Sequence, residues 1–109
     1  MKKKPTIIQL AKYDIAQKII DELADAESRT ILFSLVRKTR TAEELSHLCK
    51  IPISTVYNKL NNLEKLSLVY VDKYWSTDRG KRIKFFKSRI SMARISIQSS
   101  MPTLYLSSN

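Results

Sequence analysis

The side chains with the clearest chemical potential stand in one polar row. Ser54, Thr55, Tyr57, Asn58, Lys59, Asn61, Asn62 and Lys65 surround Val56, Leu60, Leu63 and Leu66. These apolar residues recur at +4, +3 and +3, the spacing of one buried helix face, which leaves the polar ones on or near the outer face. Asparagine carries a donor and an acceptor that match the exposed edge of adenine. Threonine offers a methyl to thymine, and serine, tyrosine and lysine reach phosphate oxygens. A merely soluble helix would show the same asparagines, so the row does not decide by itself.

A second group is cationic. Arg79, Lys81, Arg82 and Lys84 crowd around Gly80, the only glycine. The chain carries 20 Lys and Arg against 10 Asp and Glu, a net charge of +10. All ten acids fall between Asp14 and Asp78, where nine bases nearly balance them. Lys2, Lys3, Lys4 and Lys12 precede that body, and seven bases from Arg79 to Arg94 follow it without an acid. Clustered like charges store repulsion that a polyanion relieves while releasing its counterions. Charge alone favours nucleic acid only modestly over an acidic membrane surface or an acidic protein.

Other chemistries are excluded or poorly supported. One cysteine and one histidine rule out a disulfide framework and the common structural zinc sites. His47 and Cys49 stand at i and i+2, which do not share a helix face, so no metal is expected. Cys49 is expected to be a buried small hydrophobe and His47 a rim residue. A single glycine excludes glycine-rich phosphate cradles, and no acid pair or nucleophile elbow surrounds His47. Neither a cofactor nor enzymatic activity is expected. With no membrane-length apolar run and no export core, a cytoplasmic location is expected.

The elements that must position these residues read as helices first and strands last. Ile15, Ile19, Ile20 and Leu23 predict a helix over residues 14–24, while 6–13 fit either its extension or a short strand. Asp25 is placed to cap a second helix over 26–38, with Ile31, Leu32, Leu35 and Val36 inside. Thr41-Ala42-Glu43-Glu44 is a capping box. Leu45, Leu48 and Cys49 give the short helix that follows one apolar face, and Pro52 stops it. Ser54 offers the next N-cap. After Leu66 the period falls to near two. Strands over 68–75 and 82–90 flank a turn with Gly80 at a positive φ. Tyr70, Tyr74, Trp75, Phe85 and Phe86 are expected to form hairpin core, with base stacking on nucleic acid as the minority alternative. Residues 94–97 and 103–106 suggest a second hairpin, with 107–109 frayed.

A capped helix, a tight turn, a second helix and a basic hairpin form a helix-turn-helix with a wing. Residues 25–89 resemble winged helix-turn-helix regulators of the ArsR-like type, most closely archaeal members. The likeness rests on Asp25-x-x-x-Arg29-x-Ile31-Leu32, Thr41-Ala42-Glu43-Glu44-Leu45, and Ile51-Pro52-Ile53-Ser54-Thr55-Val56-Tyr57 with Leu60, Leu63, Glu64, Leu68 and Val69. It covers about 65 of the 109 residues. Lys50 and Ser67 stand where that family commonly has glycine, and its Cys-x-Cys metal site is missing.

The resulting expectation is an α+β, mainly helical fold. Residues 1–13 form a basic segment, 14–90 a winged helix-turn-helix domain, and 91–109 a C-terminal hairpin packed on it. The resemblance implies double-stranded DNA as partner, a transcriptional role and a homodimer, whose interface would mix the first helix with the terminal hairpin. Two such copies would space their recognition helices about 34–36 Å apart and read a pseudo-palindrome. The expected DNA contacts are Thr41, Ser54, Thr55, Tyr57, Asn58, Lys59, Asn61, Lys65, Arg79, Lys81, Arg82 and Lys84. The rival from another class is a winged-helix protein-interaction module. A membrane-surface binder using Lys2 to Lys4 is the weaker rival. No effector pocket can be read from the sequence.

Overall fold

The computed structural model describes residues 7–109, with side chains described from Asp14 onward; Lys2, Lys3 and Lys4 lie outside the described residues. Four helices come first: α1 (Ile7–Ala24), α2 (Ala26–Phe33), α3 (Ala42–Cys49) and α4 (Ile53–Lys65). Two antiparallel hairpins follow, β1 (Val69–Ser76) with β2 (Arg82–Ser88), and β3 (Ile90–Ser96) with β4 (Thr103–Ser108). The chain is therefore α+β. Among the described residues no helix is long and apolar enough to cross a membrane.

The ambiguous stretch before residue 14 is helix, continuous with α1 from Ile7. Asp25 caps α2 as its position implied, its carboxylate accepting from the Ser28 N–H at 2.8 Å. Arg29 turns back and donates to the Leu23 and Ala24 carbonyls, so the last turn of α1 is satisfied by the next helix. The second helix stops at Phe33 rather than Lys38. Its next carbonyls are used elsewhere: Arg40 Nε donates to Ser34 O, and the Ser88 N–H donates to Leu35 O. The backbone leaves the helix to bond the sheet.

The core gathers Ile19 and Leu23 of α1, Ile31 and Leu32 of α2, Leu35, Leu45 of α3, and Val56, Leu60 and Leu63 of α4. Leu68, Val69, Phe86 and Ile90 close it from the sheet side. Each large aliphatic side chain so buried contributes about 1.5–3 kcal/mol. The apolar stripes are narrower than their periodicity suggested. Ile15 and Leu48 are exposed, and Val36, Cys49 and Leu66 are half-buried. Cys49 packs against the core with its Sγ 3.6 Å from Ser34 Oγ, and His47 is exposed.

The first hairpin is anchored only at its base. Arg40 and Phe86 exchange both backbone hydrogen bonds, which adds a third short segment beside β2. Beyond that bridge the hairpin leaves the helices. This corrects the reading of its aromatic residues: Phe86 is core, Tyr70 and Phe85 are half-buried, and Tyr74 and Trp75 are exposed. A two-stranded ribbon with nothing behind its tip has no core to offer them.

A bulge decides which way those rings point. Val71 pairs with Phe86 but Lys73 pairs with Phe85, so Asp72 is an extra residue and the alternation shifts there. Tyr74, Lys84 and Arg82 share the Phe86 face, which looks toward α4, and Arg82 stacks 4.0 Å from the Tyr74 ring centre. Tyr70, Lys73, Trp75, Ile83, Phe85 and Lys87 share the opposite face. At the tip, Gly80 adopts φ 77, and the Thr77 hydroxyl accepts from the Lys81 N–H.

The second hairpin starts at Ile90, earlier than its alternation suggested, and residues 107–109 are not frayed. Ser107 and Ser108 pair with β3. The Asn109 side chain donates to the Val36 and Ser88 carbonyls, both at 2.9 Å.

Candidate nucleic-acid interface

The site is built on α3, α4 and the first hairpin. The capping box of α3 is complete: Thr41 Oγ1 accepts from the Glu44 N–H, and Glu44 Oε1 accepts from the Thr41 N–H, both at 3.1 Å. Lys50 ends α3 in the left-handed conformation, with φ 55 and ψ 46. The turn is pinned by the Ser46 hydroxyl, which donates to Ile51 O at 2.6 Å. Ser54 is not the cap of α4. The helix begins at Ile53 after Pro52, which makes no side-chain cap because its ring carries no hydrogen-bonding atom; its ring instead fixes φ at entry. Ser54 sits exposed in the first turn.

Val56, Leu60 and Leu63 face inward as their spacing required. Helical geometry then spreads the polar residues over three sectors. Ser54 and Asn58 lie opposite the buried stripe, both exposed. Tyr57 and Asn61 border a groove of about 280 Å³ whose far wall is Lys81, Arg82 and Lys84. Lys59, Asn62 and Lys65 lie on the other flank, beside Lys18, Asp21, Glu22 and Asp25.

The structure thus brings Tyr57, Asn61, Lys81, Arg82 and Lys84 together around one groove, while Ser54 and Asn58 are exposed on α4 and do not line it. Arg79 is exposed in the hairpin turn, and Thr55 is half-buried. Three candidates stand apart. Thr41 is buried with its hydroxyl committed to the cap. Lys59 bridges to the Asp25 carboxylate at 3.1 Å, and Lys65 faces the acids of α1 across the second groove.

Two carboxylates enter the groove that the polar row did not announce. Glu64 lines it, as its i+3 spacing from Asn61 could have revealed. Glu43 lines it from α3 and accepts from the Tyr57 hydroxyl at 3.3 Å, a contact between two helices without a sequence signal. Partial burial, and then the Glu43 charge, pushes the Tyr57 phenol above its ordinary pKa. Among the described residues no three His, Cys, Asp or Glu cluster as metal ligands would.

Neither a protein-family model nor a curated protein matches this chain.

Proposed function

We propose that the chain is a winged helix-turn-helix protein that binds double-stranded DNA and regulates transcription in the cytoplasm. In this reading α4 enters the major groove, with Ser54, Asn58 and Asn61 nearest the base edges and Tyr57 at its flank. The hairpin tip lays Arg79, Lys81, Arg82 and Lys84 along the phosphates or into the minor groove. One observation carries the reading: Tyr57 and Asn61 of α4 and Lys81, Arg82 and Lys84 of the first hairpin border a single groove. A duplex meets the two elements together only if they share a side of the molecule.

The same reading includes a two-fold dimer. Ile15, Ala16 and Ile19 of α1 and Met101, Pro102, Leu104 and Leu106 beside and on β4 line an apolar groove. Ile15 is 52% exposed and Met101 54%. A second copy brings an equal apolar face by symmetry and sets two α4 helices on one duplex.

Glu43 and Glu64 in the groove favour a second reading, a protein-interaction module that meets a mixed-charge partner. Salt separates the two. Selection of duplexes from a random pool at two salt concentrations should enrich a common sequence, with affinity falling steeply as salt rises. Neutralising Arg79, Lys81 and Arg82 should lower that slope by about one for each lost phosphate contact. Duplex binding that ignores those three substitutions removes the hairpin from the site.

A further inference from the structure

We propose that the outer face of the first hairpin, turned away from α4, binds single-stranded nucleic acid by stacking unpaired bases on its aromatic side chains. The strand register puts Tyr70, Lys73, Trp75, Ile83, Phe85 and Lys87 on that face. Trp75 is 63% exposed. Cations are interleaved with the rings: Lys73 Nζ lies 5.0 Å from the Phe85 ring centre, and the Arg89 guanidinium 4.6 Å from that of Tyr70. None of these face-sharing side chains is a carboxylate.

Trp75 offers an open ring face, while Tyr70 and Phe85 beside it are half-buried with a cation over each ring, and the chemistry around the indole names its cover. Cations beside ring faces suit a ligand that is flat, apolar on its faces and negatively charged along its edge. A nucleic-acid strand is such a ligand. The strip is only two strands wide, about 4.8 Å between backbones, and its side chains repeat about every 6.8 Å along each strand. That is a track for one chain. A duplex keeps its bases paired and stacked on each other, so it offers these rings nothing to stack on. Of this face only Ile83 also lines the groove shared by α4 and Arg82, so a duplex held there leaves the aromatic rings free. The site is independent of the duplex reading.

Trp75 is the only tryptophan in the chain, so its emission reports on this face alone. The test titrates the full chain with oligo(dT), with oligo(U) and with the duplex recovered by selection. Both single strands, or whichever of DNA and RNA is the ligand, should quench Trp75. Trp75→Leu should weaken that strand about tenfold in an anisotropy titration and leave duplex affinity unchanged. Lys73→Gln with Lys87→Gln should flatten the salt dependence of single-strand binding. Asn58→Ala should leave single-strand affinity unchanged. Because Trp75 is exposed, its replacement spares the fold, which circular dichroism verifies. Unchanged Trp75 emission at saturating oligonucleotide, or equal single-strand affinity in Trp75→Leu, overturns the proposal and leaves a protein as the partner of this face. Quenching by a single strand without any duplex binding would keep this site and remove the duplex reading.

Discussion

Lys59 Nζ lies 3.1 Å from Asp25 Oδ2, and the same carboxylate oxygen accepts from the Ser28 N–H at 2.8 Å. One side chain of α4 is thereby tied to the first turn of α2. The Ser28 N–H, and then the Lys59 ammonium, hold the Asp25 carboxyl below its ordinary value of 3.8. A carboxylate with a depressed native pKa adds stability above its unfolded pKa and loses it as pH falls through the native one. Asn also caps helices, so Asp25→Asn removes the charge and spares the cap. The variant should be less stable than the parent at neutral pH, and the gap should close as pH drops below 3.8. Chemical denaturation across a pH series measures it. Lys59→Gln should behave alike and hardly alter the salt slope of duplex binding.

Lys50 and Ser67 both have positive φ, 55 and 60, at the ends of α3 and α4. A left-handed non-glycine residue costs about 1–2 kcal/mol, part of which glycine returns through its looser unfolded chain. Lys50→Gly and Ser67→Gly should each raise stability by roughly 0.5–1 kcal/mol. Lys50→Val should lower it. Denaturant midpoints for the three variants decide the matter.

Thr41 and Asn58 should separate support from recognition. Thr41→Ala breaks the capping box and should cost about 1 kcal/mol of stability while base preference is kept. A changed sequence preference in Thr41→Ala would return that residue to the interface. Thermal unfolding paired with a binding array gives both readouts.

Asn58→Ala should relax preference at one base position, a loss of about 1–3 kcal/mol against the best sequence alone. Lys81→Ala should weaken all sequences alike and reduce the salt slope by about one. The same array with both variants tests this. An equal loss on every sequence for Asn58→Ala counts against base reading.

Ile15→Glu or Leu106→Glu places a charge in the apolar groove between α1 and β4. Each should convert a dimer to a monomer in sedimentation equilibrium and abolish cooperative binding to paired half-sites. A parent chain that sediments as a monomer at every concentration removes the dimer.

The helical half of the molecule was legible because burial there follows one period. Val56, Leu60 and Leu63, the Asp25 cap and the Thr41–Glu44 box depend on residues within a turn of each other. The positive φ of Gly80 was legible for the same local reason. What escaped depends on distant partners. The end of α2 at Phe33 is set by Arg40 and Ser88, and the order at Asn109 by Val36 and Ser88. The aromatic residues escaped because a strand's alternation says which rings share a side, not whether anything lies behind them. Of the candidate site, the polar outer row and the hairpin cations were readable. The diversion of Lys59 to Asp25 and the entry of Glu43 were not, since each needs two elements to meet in space.

Asp72 gives the hairpin two reading frames. Upstream of it odd-numbered residues of β1 face the helices; downstream the even-numbered ones do. Deleting that one residue would straighten the strand and leave Lys73, Tyr74 and Trp75 on their present faces, whereas one residue inserted between Phe85 and Phe86 to pair with it would turn Tyr74, Lys84 and Arg82 outward and Lys73 and Trp75 toward α4. The assignment of each ring to its surface is thus set by a count along the two backbones, so one inserted residue opposite Asp72 would rewire both surfaces without altering a single side chain in either.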